Sequence, residues 1–336
     1  MFTVDSYLIA VLFCVITMIC WGSWGNTQKL VSSNWRYELY YWDYVIGMVL
    51  FTVLLGFTMG SHGEMGRPFV QDLLQVSLQS VMWVLLGGII FNASNILLSA
   101  SISLAGMAVA FPLGVGIALV LGVIINYIGI PGGDPILLFS GVVLITIAII
   151  CNGVASGKTQ TNSIEKSANR KGIVVALVAG VLMSLFYRFV IKGMDVQNFE
   201  SPAVGMMTPY SAIFIFSIGV FLSNFVFNSI LMKKPFVGLP VSYKTYFSAP
   251  LRLHSVGILG GVIWALGTSL SYISAGKASP AISYALGQGA PMIAAFWGVF
   301  VWHEFSHRSK LVNALLMLMF VLYAIGLTLI ILSGAN

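Results

Sequence analysis

The chain consists of continuous apolar stretches about 20 residues long, separated by short polar segments. A helix needs about 20 apolar residues to cross the hydrocarbon core of a bilayer, whereas membrane barrel strands alternate apolar and polar residues. The pattern therefore predicts an all-α membrane protein with ten transmembrane helices. The ten spans cover residues 7–26, 39–60, 78–100, 105–128, 135–154, 172–192, 204–231, 254–275, 279–302 and 311–333.

Composition supports a bilayer as the solvent. Of the 336 residues, 58% are hydrophobic and 8% are charged, against about 25% charged residues in soluble domains. The cysteines Cys14, Cys20 and Cys151 all lie inside apolar stretches, where packing is their expected role. The start, MFTVDSYLIA, lacks a basic segment, so no cleaved signal peptide is expected. The protein is expected to be surrounded by membrane lipid. The sequence shows no basic face that would indicate binding of nucleic acid.

Basic residues predict the orientation. The odd-numbered loops between spans hold 12 Lys and Arg residues, and the other side holds 3. Cytoplasmic loops are enriched in Lys and Arg, so the odd-numbered loops are expected in the cytoplasm. The chain is then a multi-pass protein of the cell (inner) membrane with both termini outside the cytoplasm.

One phrase occurs twice in the chain. WVLLGGIIFNASN begins at Trp83, and GILGGVIWALGTS begins at Gly257. A shift of 173 residues carries Gly87-Gly88 onto Gly260-Gly261. The same shift carries AVAFPLGVG (108–116) onto AISYALGQG (281–289), so two helices and their connection align without a gap.

This repeat predicts two halves of opposite orientation. The first half covers 1–154, a cytoplasmic linker covers 155–171, and the second half covers 172–336. Each half has five spans, an odd number, so the second copy enters the membrane inverted. Inverted five-helix repeats are typical of secondary transporters, whose substrate site lies near the midplane between the halves.

Polar residues inside the spans are the candidate substrate ligands, because polar groups in a bilayer are costly unless they are paired or line a wet cavity. Asn92, Asn95 and Ser99 are spaced i, i+3 and i+7 and share a face of the third span. Carboxamides both donate and accept hydrogen bonds, which suits a neutral polar solute. The alternative role is hydrogen bonding between helices.

The second copy offers an aromatic face. Trp264 and Thr268 occupy the equivalent face of the eighth span, and Tyr284 and Gln288 lie one turn apart on the ninth. Gln288 replaces an apolar residue of the first copy, which favours a ligand role.

The first span adds two tryptophans. Trp21, Trp24 and Gln28 again fall at i, i+3 and i+7. The rings could stack on a planar or sugar ring, or they could form part of the interfacial aromatic belt.

Two charges lie within spans. Asp43 is the candidate proton-coupling residue, because intramembrane carboxylates mark ion pathways and proton relays. Its alternative role is a structural pair with Arg36 or Lys29. Arg188, near the outer end of the sixth span, is a candidate charge gate, and its alternative is outward snorkelling.

HEFSH at 303–307 matches the zinc-binding pattern H-E-x-x-H and raises an intramembrane zinc protease as the alternative from another class of function. A third ligand is lacking, since position 310 is Lys and no Asp or Glu follows Glu304. We therefore expect no enzyme activity, no metal and no cofactor.

Four motifs carry a resemblance to a known family. They are CWGSWGNTQKL (20–30), ELYYWDYVIG (38–47), SNILLSASISLAGMAVAFPLGVG (94–116) and WGVFVWHEF (297–305). The chain resembles the drug/metabolite transporter superfamily, and within it the ureide permeases, next to the glucose/ribose and rhamnose uptake proteins. This resemblance implies two inverted five-helix halves and import of a small polar solute. Residues 155–171 contain no G-x-x-x-x-G-K-[ST] motif, so nothing indicates ATP use.

The sequence thus predicts a secondary active transporter that imports a small neutral polar metabolite by alternating access. Ureides, nucleobases and sugars are the candidate substrates, and protons are the candidate coupling ion. An exporter of the same superfamily is the alternative. The first four spans of each half should line the cavity. The fifth and tenth should lie outside or at a dimer contact, so the protein is a monomer or a homodimer.

Overall fold

The computed structural model describes residues 1–31, 35–105, 107–159, 170–236, 238–302 and 309–335. Ten helical segments in these ranges are long and apolar enough to cross a membrane, which confirms the ten predicted spans. The helices are α1 (Tyr7–Ser23), α2 (Tyr37–Phe57), α3 (Phe69–Gln75), α4 (Leu78–Ala105), α5 (Met107–Gly129), α6 (Pro135–Thr159), α7 (Arg170–Lys192), α8 (Pro209–Lys233), α9 (Tyr243–Phe247), α10 (Leu251–Ala278), α11 (Pro280–Gly287), α12 (Ala290–Phe296) and α13 (Lys310–Ser333).

The ninth span differs most from its prediction. The expected single helix over 279–302 is divided into α11, α12 and a π-helical segment, Trp297–Val301. The first break falls at Gln288 and Gly289. Pro291 lies just beyond it and has no backbone N–H to donate to the carbonyl of Gly287, which ends the regular helix there.

The first span also changes form. After α1 the chain tightens into a 3₁₀ segment, Trp24–Leu30. Two short helices, α3 and α9, lie in loops between spans and have no counterpart among the predicted spans. The seventh span begins at Pro209, later than predicted. Proline fits the first turn of a helix, because the N–H missing there has no helical partner.

Equivalent helices of the two halves make equivalent contacts. α4 packs against α7 and α8, and its counterpart α10 packs against α1 and α2. The two fifth spans, α6 and α13, pack against each other. This arrangement is consistent with an inverted repeat.

The paired glycines of the repeated phrase lie at the closest of these contacts. A Cβ atom on Gly88 would meet the backbone carbonyl of Phe216 on α8. A Cβ atom on Gly261 would meet the carbonyl of Tyr44 on α2. Small residues let transmembrane backbones approach closely. Each copy of the repeated Gly-Gly motif therefore lies where a helix of one half packs closely against a helix of the other half.

Both termini lie on one side of the helix bundle, which we call the terminal face. The amino terminus donates to the carbonyl of Met65 at 2.6 Å, and the backbone N–H of Asp134 donates to the carbonyl of Ser333 at 2.6 Å. Arg67 and the buried Asp72 form an ion pair here, with Arg67 Nη1 2.8 Å from Asp72 Oδ1. They join the two halves, since Arg67 donates to the carbonyl of Pro202 at 2.7 Å and Asp72 accepts from the backbone N–H of Thr208 at 2.8 Å. The opposite side, with residues 24–31 and 233–236, is called the basic face.

Candidate substrate-binding cavity

A cavity of about 810 Å³ lies between the two halves. Its inner end reaches Phe91 and Trp264, which lie at the midpoints of the 28-residue helices α4 and α10. Its mouth is lined by Lys29, Arg36 and Phe236, so it opens towards the basic face. The volume is in the range of small-molecule binding sites.

Seven of the ten predicted substrate-binding residues line this cavity. They are Trp21, Trp24, Gln28, Asn95, Ser99, Trp264 and Gln288. The lining does not include Asn92, Thr268 or Tyr284. The binding role of each of these residues stays a prediction.

Tryptophan rings from the two halves form an aromatic wall. Trp21 and Trp264 are stacked, with ring centroids 6.2 Å apart and planes inclined by 11°. Thr268 holds this arrangement, since its hydroxyl accepts a hydrogen bond from Trp21 Nε1 at 2.9 Å. Trp24 packs on Tyr44 at 4.8 Å. The wall presents flat apolar surfaces to any ligand between the halves.

Gln288 lies at the break between α11 and α12. Gln288 is 8% exposed, and no hydrogen bond of its side-chain amide occurs among the described residues. The equivalent residue of the first half, Val115, also lines the cavity. An interrupted helix at the middle of a membrane is a recurrent way to bring polar groups to a transporter site.

Asn95 and Asn92 belong to one hydrogen-bonded group but face different directions. Asn95 lines the cavity and donates from Nδ2 to the Tyr41 hydroxyl at 3.1 Å. That hydroxyl donates to Asn92 Oδ1 at 2.9 Å. Asn92 is fully buried and donates to the carbonyl of Val220 on α8 at 3.2 Å. Asn92 therefore links helices, the alternative that the sequence left open.

Aromatic rings close the inner end of the cavity towards the terminal face. Phe91 and Trp264, which are equivalent in the repeat, have ring centroids 4.5 Å apart. The ring centroid of Phe186 lies 5.2 Å from that of Phe91, and the Phe216 ring stacks on Trp264 with centroids 5.9 Å apart. Tyr284 lies beyond them, 6.4 Å from Phe186, and donates to the carbonyl of Ala118 at 3.0 Å.

The cavity lining differs in one respect from the expected one. The fifth span contributes Asn152, Gly153 and Ser156 to the mouth, although it was expected to lie outside the cavity. α6 is long enough to reach the basic face, and its last turns lie beside the opening. The residues of α13 are not among the lining, as expected for the tenth span.

Comparison with known proteins gives the family. The sequence model of the ureide permeases matches residues 40–170 and 157–333, which together cover most of the chain. The chain belongs to the ureide permease family. It is therefore a membrane transporter.

Curated ureide permeases match 73% to 100% of this chain. Ureide permease 1 of Arabidopsis thaliana is 23% identical over 393 residues, covering 100% of both chains. Ureide permease 3 of the same plant is 26% identical and covers 73% of this chain and 77% of its own. The probable ureide permease A3 of Vigna unguiculata is 22% identical, covering 86% and 93%. A solved crystal structure with 16% identity shares the fold, with a TM-score of 0.56 over 96% of this chain and 99% of its own.

Asp43 and Arg188, the two charged residues singled out within the spans of this ureide permease family member, are not part of the cavity lining. Asp43 is buried between α2, α9 and α10, where its Oδ1 accepts from the Tyr246 hydroxyl at 2.6 Å and lies 2.8 Å from His254 Nδ1. Its Oδ2 is buried without a hydrogen-bond partner in the described part of the chain. Arg188 packs its guanidinium against Gly129 near the terminal face.

Neither predicted partner of Asp43 is its ion-pair partner. Arg36 pairs with Glu38 instead, and the Lys29 ammonium lies 5.0 Å from the ring centre of Trp302. His254 is the group that the sequence did not indicate, because 211 residues separate it from Asp43. The HEFSH segment, including Glu304, lies outside the described residues of this permease.

Proposed function

We propose that the transporter carries ureides across the membrane into the cytoplasm. The observation that carries the proposal is the pair of amide side chains, Asn95 and Gln288, beside the stacked rings of Trp21 and Trp264. A cyclic ureide is flat, neutral and rich in N–H and C=O groups. Its faces match the tryptophan rings, and its edges match carboxamides, which donate and accept. The names of its relatives support the same class of substrate.

Alternating access is the proposed mechanism. The cavity is open at the basic face, while aromatic rings separate it from the terminal face. The excess of Lys and Arg favours the basic face as cytoplasmic. With that orientation both termini would lie outside, and the open cavity would belong to an inward-open state. Exchange of packing between the two similar halves would then open the opposite side.

Ligand binding tests the substrate class. In a thermal-shift titration of purified protein, we expect hydantoin, the simplest cyclic ureide, to raise the unfolding midpoint saturably, because it binds the folded state. Sugars should have no effect. Gln288→Leu should raise the dissociation constant by about tenfold through loss of its polar contacts, and the exposed Gln71→Leu should not. If sugars raised the unfolding midpoint and hydantoin did not, the substrate would be of a different class.

Transport in proteoliposomes tests the direction. Vesicles in which the basic face is inside should accumulate labelled hydantoin. Net movement only from the basic face to the terminal face would instead support the exporter.

Proton coupling through Asp43 and His254 is the second part of the proposal. Burial and the adjacent Asp43 carboxylate raise the pKa of Tyr246, so this phenol stays a neutral donor, and an exchanging proton would reside on Asp43 or His254. His254 is partly exposed, with 17% of its side chain accessible, which gives protons a route from solvent.

Substitution of the carboxylate tests this coupling. Asp43→Asn cannot bind and release a proton at neutral pH, so uptake by the variant should lose its dependence on the pH gradient while hydantoin binding remains. The exposed Asp5→Asn should retain the full dependence. An unchanged response in Asp43→Asn would leave Asp43 a structural role.

A further inference from the structure

The hydrogen bonds between α2, α4 and α8 have a fixed direction. The chain of bonds ends at the backbone carbonyl of Val220, which can only accept, so the Asn92 atom 3.2 Å away is Nδ2. Ser223 agrees, since its hydroxyl donates to the carbonyl of Gly219 at 2.8 Å and is left to accept from Asn92. The other end of the Asn92 amide, facing Tyr41, is therefore the oxygen.

This direction passes through Tyr41. A phenol has one hydrogen, and here it is donated to Asn92 Oδ1 at 2.9 Å. The Tyr41 oxygen must then accept from Asn95, 3.1 Å away, so the Asn95 atom facing it is Nδ2. The amide oxygen of Asn95 is left pointing away from Tyr41, with no hydrogen-bond partner among the described residues.

The surroundings hold this arrangement in place. Tyr41 and Asn92 are fully buried, and Asn95 is 8% exposed, at the cavity. The Tyr41 ring is stacked between Tyr37 at 5.2 Å and Tyr44 at 5.3 Å, so it cannot turn away from the two amides. Reversing the Asn95 amide would bring its oxygen against the Tyr41 oxygen, which has no second hydrogen to give.

We infer that Tyr41 is a positioning residue that presents the Asn95 carbonyl oxygen to the cavity, and that the substrate must donate an N–H to this oxygen. The inference rests on the proposed function and adds a specificity rule to it. Solutes with an unsubstituted ureido N–H at this contact are accepted, and solutes that carry a methyl group there are discriminated against. Acceptance of the substrate is thus set from a residue outside the cavity lining.

The test compares hydantoin with 1-methylhydantoin and 3-methylhydantoin, by dissociation constants measured on the full-length protein. For the wild type, methylation of the donating nitrogen should raise the dissociation constant by about tenfold or more, because the hydrogen bond is lost and the Asn95 oxygen is left unpaired. In Tyr41→Phe the amide is free to turn and offer Nδ2. The methylation penalty should then fall to about threefold or less.

Tyr44→Phe is the matched control. It removes the same hydroxyl from a neighbouring stacked ring, but that hydroxyl has no described hydrogen-bond partner. Its methylation penalty should equal that of the wild type. Asn95→Leu serves as a second variant should Tyr41→Phe fail to fold, and it should remove the penalty altogether.

The outcomes separate the two proposals. Hydantoin binding with the same methylation penalty in the wild type, Tyr41→Phe and Asn95→Leu overturns the inference and leaves the proposed substrate class standing. Absence of hydantoin binding to the folded wild-type protein overturns the proposed substrate class, and the specificity rule falls with it.

Discussion

Trp264→Ala is expected to abolish measurable uptake of ureides. The indole forms the inner end of the cavity and contacts Trp21, Phe91 and Phe216 at ring distances of 6.2, 4.5 and 5.9 Å. Its removal takes away a stacking surface for the ligand and opens the aromatic barrier. We expect the dissociation constant for hydantoin to rise about 100-fold, equivalent to about 2.8 kcal/mol, with saturable uptake lost.

A variant of intermediate size separates binding from folding in this prediction. Trp264→Ala also creates a cavity, and such truncations cost about 3–5 kcal/mol of stability. Trp264→Phe keeps a flat ring and should recover part of the affinity. Trp83→Ala, which removes a tryptophan packed on Phe189 away from the cavity, should transport normally. Normal uptake by folded Trp264→Ala would place the binding site elsewhere.

Gly261→Val is expected to prevent accumulation of folded protein. A Cβ atom at this position would run into the carbonyl of Tyr44 and lie 2.9 Å from the backbone N of Met48. These are backbone atoms, which cannot turn aside, so α2 and α10 would have to separate. Overpacking costs about 1–3 kcal/mol where side chains can shift, and here we expect about 3 kcal/mol or more.

Gly116→Val is the control for Gly261→Val. It places the same β-branched residue inside a membrane helix, but a Cβ atom there meets nothing within 4 Å. Monodisperse protein after detergent extraction, measured by size-exclusion chromatography, should be retained for Gly116→Val and lost for Gly261→Val. Equal yields of both would mean that the contact between α2 and α10 is looser than described.

The spans were predictable because a bilayer imposes a minimum length of apolar helix, and that constraint is written in composition. The break at Gln288 was not predictable in the same way. Apolar residues continue on both sides of it, and hydropathy does not report whether the backbone hydrogen bonds continue. Pro291 was the available signal, since a proline inside a helix removes one of those bonds.

Within the candidate site, helical spacing was too coarse to separate neighbouring roles. Asn92 and Asn95 share a face in a helical projection, yet three residues differ by about 60° around the axis. That angle directs Asn95 to the cavity and Asn92 towards Tyr41 and α8. Thr268 was likewise expected to line the cavity, but its hydroxyl accepts a hydrogen bond from Trp21 instead.

Tyr41 was present in a quoted motif and was given no role. It lies in an aromatic run in which Tyr37, Tyr41 and Tyr44 fall at i, i+4 and i+7, a face that also reads as simple packing. Its inferred positioning role depends on hydrogen-bond partners 51 and 54 residues away. No local pattern specifies such contacts, and the repeat, which did locate Phe91 and Trp264, does not include this helix.

The two halves are unequal in one respect that bears on how such a carrier moves. α5 is a single helix of 23 residues, whereas its counterpart in the second half is jointed at Gln288. A helix that is interrupted at one point can bend there while the segment beyond the break keeps its position. Under the proposed alternating access, the second half would bend at Gln288, while α5 of the first half would move as one unit. Gln288 also lines the cavity. A solute bound against Gln288 would change how easily this break bends, so occupancy of the cavity would be coupled to movement of the second half.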